Sequence, residues 1–132
     1  MKFAIGAVLV TVLWTAVTAE IRLLSPYNKE VFKLPTAVKS KCREHPAVHV
    51  DFKWSPVVAS RSYVLVIEKQ TIIRHEDGYE RVRYDQLIKS DETTSSTNRY
   101  FYDRGLYRWS IMGRNPKGDL DRESEKYYFS IV

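Results

Sequence analysis

The sequence predicts an all-β domain: a two-sheet antiparallel sandwich of about seven strands. Three observations carry that expectation. Apolar residues recur with period two over short stretches, turn-forming residues punctuate those stretches at close intervals, and no segment beyond residue 19 shows the spacing of an amphipathic helix. The apolar faces of two such sheets bury one another about 10 Å apart.

The strands are counted from residue 20. Met1-Lys2 is a short basic segment, Phe3 to Trp14 is apolar apart from Gly6 and Thr11, and Val17-Thr18-Ala19 places short side chains before Glu20. This is the layout of a secretory signal peptide. The apolar run of about 12 residues falls short of the roughly 20 that cross a bilayer as a helix. The expected organisation is a signal peptide over 1–19 and one domain over 20–132, with no transmembrane anchor after removal. No cysteine adjoins the cleavage point, so nothing marks a lipid-anchored protein.

Within 20–132, Ile21 to Ser25 is a first short strand, ended by Pro26, and Glu30 to Leu34 a second, ended by Pro35. Val48 to Trp54 alternates cleanly, with Val48, Val50, Phe52 and Trp54 on one face. Ser62 to Glu68 is apolar on both faces: Tyr63, Leu65 and Ile67 on one, Val64 and Val66 on the other. Gln70 to Ile73 either extends this strand or starts a new edge. His75-Glu76-Asp77-Gly78 is a turn, since Gly supplies positive φ freely. Tyr79 to Ile88 carries the mixed charge of an edge strand. Ser90 to Asn98 is polar and reads as a loop leading into a short strand. Leu106 to Gly113 places Tyr107, Trp109 and Ile111 on one face and Arg108, Ser110 and Met112 on the other. Asn115 to Asp119 is a turn, and Tyr127, Phe129 and Ile131 give a last inward face. Trp54 and Trp109 form the expected centre of the core, with Phe52, Tyr63, Tyr107 and Phe129 around them.

These residues resemble a known family. Trp54-Ser55-Pro56-Val57, Ala59 and then Tyr63-x-Leu65-x-Ile67 look like the B-to-C region of fibronectin type III-like domains of bacterial exported proteins. Gly105-x-Tyr107-x-Trp109-x-Ile111, Asn115, Gly118 and Tyr127-x-Phe129-x-Ile131 look like their F and G strands, and Leu24-Ser25-Pro26 fits their first strand. The resemblance spans nearly all of 21–132. It implies an immunoglobulin-like sandwich and a role in extracellular binding or spacing, with a tyrosine corner at Tyr107. Residues 70–92 depart from the family in being longer and more charged than the usual stretch. The resemblance supplies neither a catalytic residue nor a ligand, because such folds host many functions.

Composition narrows the function classes. Loss of residues 1–19 removes Lys2 and no acid, so 20 basic residues face 16 acidic ones, a net charge of +4. The two signs are interspersed and no basic run resembles a nucleic-acid arm. Cys42 is the only cysteine, so no internal disulfide forms, and no Asn-x-Ser/Thr site occurs. Small animal extracellular domains are often stapled by bridges. Both features favour a bacterial location: periplasmic, outer-envelope or secreted.

Candidate chemistry is sparse. Cys42 with His45 and His49 contains a thiol and possible bases, but lacks an orienting group or oxyanion donors. The spacing also fits no closed four-ligand zinc pattern. Lys117-Gly118-Asp119 in the predicted F–G turn resembles an integrin-binding tripeptide, although Gly and Asp are ordinary turn residues. Tyr79, Tyr84 and Tyr102 are the rings available for a sugar platform.

The stronger binding signal lies on the outward face of the strands corresponding to C, F and G. Val64, Val66, Arg108, Ser110, Met112, Tyr128 and Ser130 point that way, and the apolar members lie side by side. Soluble monomers seldom expose contiguous apolar patches beyond several hundred Å², so either residues 70–90 or a partner is expected to cover Val64, Val66 and Met112. The reading is therefore an exported, non-enzymatic binding or structural module of the cell envelope. It takes a protein partner or a second copy, needs no cofactor and binds no nucleic acid. The alternative is a carbohydrate- or peptidoglycan-binding module; a small thiol or metal enzyme built on Cys42 is a third reading. The protein as the cell releases it should begin at Glu20. Intact-mass measurement checks this, and a mass retaining Met1 to Ala19 would show that the segment is not a cleaved signal.

Overall fold

The computed structural model describes residues 20–36 and 45–132. The expected signal peptide and Cys42 lie outside the described residues. All regular structure in the described chain is β, in two sheets that do not close into a barrel. In the smaller sheet β1 (Leu23–Ser25) pairs with β3 (Val48–Trp54), which pairs with β6 (Ser96–Phe101). The larger sheet runs β2 (Glu30–Phe32), β9 (Tyr127–Ile131), β7 (Gly105–Arg114), β4 (Ser62–Arg74), β5 (Glu80–Glu92), with β8 (Leu120–Glu123) also on β7.

These nine segments follow seven strand paths. β8 and β9 both pair with the edge of β7 that faces away from β4, and β7 keeps pairing with Ser124 between them: Ile111 N donates to Ser124 Oγ at 2.9 Å. They are halves of one interrupted strand. β1 and β2 are likewise halves of a first strand that changes sheets over Pro26–Lys29, a stretch that contains a cis Ser25–Pro26 bond and a positive φ at Lys29. All strand pairs are antiparallel except β2 with β9.

The alternation predicted for β3 is the alternation observed: Val48, Val50, Phe52 and Trp54 are buried, and the residues between them are exposed. β4 faces them with Tyr63, Leu65 and Ile67, β7 with Tyr107, Trp109 and Ile111, and β9 with Phe129 and Ile131. Phe52 meets Trp109 at 5.1 Å and Phe129 at 5.9 Å between ring centroids, while Tyr107 stacks flat on Phe129 at 5.2 Å. At the other end of the slot Trp54 packs edge-on against Tyr63, whose hydroxyl accepts from Val57 N at 2.9 Å. The Tyr107 hydroxyl donates to the Asp103 carbonyl at 2.7 Å, forming the expected corner before β7. Burial, and then the nearby Asp103 carboxylate, push the phenol up to about 12.

Some segments settle an alternative left by the sequence and others depart from its expectation. Residues 70–73 extend β4 to Arg74, so β4 and β5 form a hairpin with 13 residues in each strand. Only Ser62–Lys69 of β4 also pairs with β7, so the distal hairpin projects as a two-stranded ribbon. The polar stretch 90–98 divides between the end of β5 and the start of β6. β8 was not expected, since Leu-Asp-Arg-Glu carries no apolar alternation; the preceding turn recruits it. Gly78 and Gly118 sit at φ 85° and 88°, as their turns require.

The two central tryptophans make a graded test. Each Trp→Ala change should cost about 3–5 kcal/mol. The milder Trp→Phe changes should separate the rings. Trp109 Nε1 donates to the Pro26 carbonyl at 3.3 Å, whereas the buried Trp54 Nε1 meets no acceptor among the described residues. Trp109→Phe should therefore be the costlier by about 1 kcal/mol in denaturant melts, because it strands a buried carbonyl. Equal losses would show that the Pro26 contact adds nothing.

Candidate functional site

Strand pairing decides which side chains share the outer face of the large sheet. Opposed residues lie on the same side, so Val64 groups with Met112 and Asp91, Glu68 with Arg108, Arg108 with Tyr128, and Gln70 with Tyr84. Four neighbouring strands thereby contribute Tyr128, Arg108, Glu68 and Tyr84 to one area. Arg108 Nε donates to Glu68 Oε1 at 2.8 Å, and its guanidinium lies 3.8 Å from the centre of the Tyr84 ring. Tyr84 leans back over the sheet to within 6.1 Å of Tyr128, and Lys126 reaches the same Glu68 oxygen at 3.7 Å. A guanidinium stacked on a ring and bonded in its own plane uses both of its recognition modes at once.

Glu68 and Arg108 are each about one-fifth exposed, so their attraction is less screened than that of a surface pair. The Arg108 hydrogen bond is the main cause that holds the Glu68 carboxyl below its ordinary 4.5, and burial opposes it. Out on the ribbon, Arg83 and then Thr71 hold the half-buried Asp85 carboxyl below its usual value.

Of the partner-face residues expected from sequence, Val66, Arg108, Met112 and Tyr128 are half-buried, and all lie on this side of the sheet. Val64 is only 1% exposed. Its cover comes from the chain itself: Arg114 on β7 and Asp91 on β5 join at 3.1 Å, and the register carries that bridge over β4 beside Val64. Residues 70–90 do not fold over the face as a lid. They continue the sheet sideways, and Tyr84 bends back from them.

The remaining candidates fall elsewhere. Lys117, Gly118 and Asp119 occupy an exposed turn between β7 and β8. The Asn115 side chain accepts from the backbone N–H of both Lys117 and Asp119 at 3.0 Å, so that turn is built from its own residues. Because Cys42 lies outside the described residues, its grouping with His45 and His49 has no described geometry. His49 is exposed beside Tyr100 at 4.8 Å and Asp51 at 3.8 Å. Tyr79 packs against His75 in the ribbon turn, while Tyr84 meets Tyr128 at 69°, a steep edge contact rather than a coplanar platform.

Sequence reasoning placed Arg108 and Tyr128 but missed Glu68 and the role of Tyr84 on this face. The period-two pattern already put Glu68 in line with Val64 and Val66; what it could not supply was the register opposite Arg108. Among the described residues no three His, Cys, Asp or Glu side chains group as a metal site, and no helix is long and apolar enough to cross a membrane. Compared with known protein families and with curated protein sequences, the chain matches none.

The Glu68 carboxyl sets a pH dependence. Its folded value is depressed, so the stability it contributes is present above the unfolded value near 4.5 and lost as pH falls through the lower folded value. Glu68→Gln should cost roughly 1–2 kcal/mol at neutral pH and flatten this part of the acid loss. Thermal melts between about pH 3 and 7 check it, and a variant indistinguishable from the parent across that range would remove the pair from the stability account.

Proposed function

We propose that the protein is an exported, non-enzymatic module of fibronectin type III-like fold that makes protein–protein contact through the outer face of its large sheet. The observation that carries this reading is the held Arg108. It lies over the ring of Tyr84 with Tyr128 beside it, and Val66 and Met112 extend the same face toward the far end of the sheet. Tyrosine, arginine and methionine are enriched in interface cores, and tyrosine and arginine dominate binding hot spots. Glu68 fixes the guanidinium before any partner arrives, so little rotamer freedom is left to lose on association. Support for the family comes from the strand order, the split first strand and the Tyr107 corner.

The test is a photo-crosslinking amino acid at position 66, introduced in the cell that makes the protein. A defined protein adduct that disappears when Arg108→Ala is added, with only a small drop in melting temperature, supports the reading. Retention on insoluble cell wall with no protein adduct would favour the carbohydrate- or peptidoglycan-binding alternative and overturn this one.

A further inference from the structure

β5 is the outermost strand of the large sheet and pairs, among the described residues, with β4 alone. Among the described residues its other edge is open along a strand of 13 residues. An open edge is a row of unpaired N–H and C=O groups, which proteins blunt with proline, bulges or charges that repel a copy of themselves. β5 contains no proline, and its register shift lies beyond Gln86, which leaves Glu80 to Gln86 regular. Its charges do not accumulate in one sign. Arg81, Arg83 and Asp85 share one face; Val82 and Tyr84 share the other.

We propose that this edge pairs antiparallel with the same edge of a second copy, about a two-fold axis through Tyr84. Two copies of one strand form an isologous contact, in which each pairing occurs twice. With the axis at Tyr84, Arg83 stands opposite the second copy's Asp85, and Asp85 opposite the second copy's Arg83. Tyr84 faces its own equivalent, and Val82 faces Gln86. Lys69 already lies opposite Asp85 within each chain. One row across the joined sheet thus reads Lys69, Asp85, the second copy's Arg83 and its Thr71, so neighbouring charges alternate in sign. Centring the axis on Arg83 sets two arginines against each other, and centring it on Asp85 sets two carboxylates against each other. Like charges directly opposite destabilise a strand pair. Charge therefore selects both the partner and the register. Val82 and Leu87, 53% and 52% exposed, flank the axis and lose solvent on pairing.

This contact is made by the edge of β5 and does not rest on the proposed protein-binding role; Tyr84 belongs to both, whereas Arg83 and Asp85 lie on the opposite face of the sheet, so charge changes there separate the two. The test is sedimentation of the protein purified as the cell processes it, with thermal melts alongside. The parent should dimerise. Arg83→Asp should weaken association by about tenfold or more, and adding Asp85→Arg together with Lys69→Glu, which keeps the charges alternating along the row, should restore it. In a Cys42→Ser background, Tyr84→Cys should trap a covalent dimer, because directly opposed residues lie within disulfide reach; Tyr79→Cys in the ribbon turn should not. A parent that stays monomeric at about 100 µM, far above the dissociation constant of a specific pair, overturns the proposal. So does a dimer that ignores the charge reversal and is not trapped through position 84. Loss of the crosslinked partner with dimerisation intact would overturn only the reading of the outer face.

Discussion

Two sheets about 10 Å apart leave a slot that must be filled without voids, and here aromatic rings fill much of it beside Val, Leu and Ile. Phe52, Phe101, Tyr107, Trp109 and Phe129 come from both sheets and form one connected cluster, while Trp54 and Tyr63 pair at the other end of the slot. Their polar ends then fix what lies outside the slot. The indole of Trp109 reaches the Pro26 carbonyl where the first strand changes sheets. The Tyr107 hydroxyl holds Asp103 in the loop before β7, and the Tyr63 hydroxyl holds Val57 after β3. Three rings that fill the core thereby also position three connections. Losing one would cost packing and a loop position together.

The same strands that pack the slot present the outer face, because alternate residues of β4, β7 and β9 point the opposite way. That face is not the apolar patch that composition suggests. Glu68 and Arg108 occupy its middle, the ring of Tyr84 lies over the guanidinium, and Arg114 with Asp91 bridges across β4. A centre of satisfied charge is thereby ringed by half-buried Val66, Met112 and Tyr128.

The parts of this arrangement legible in the sequence are those governed by local periodicity. β3, the first half of β4, β7 and β9 each bury every second residue, and the inward set was readable because apolar and aromatic side chains fall on one parity. β6 was harder, since Ser96 to Tyr100 are polar and Phe101 alone is buried; its place comes from pairing with β3. β8 has no pattern of its own and exists because the Asn115–Asp119 turn folds it back on β7. On the candidate face, the side of the sheet was legible but the interactions were not. The partners of Arg108, and the bridge that covers Val64, lie 23 to 40 residues apart in the chain and meet only once register is set. Periodicity says which way a side chain points and not what stands opposite it.

The first strand is tied into the small sheet through β1 and into the large sheet through β2, and β2 lies parallel to the last strand. This has a mechanical consequence. A load pulling the start of β2 and the end of β9 in opposite directions acts along these two strands rather than across them. Glu30–Phe32 and Phe129–Ile131 would have to slide past one another, straining their ladder bonds together instead of opening them one by one. The split strand thus makes the pairing of β2 with β9 a shear contact, whose bonds resist such a load together.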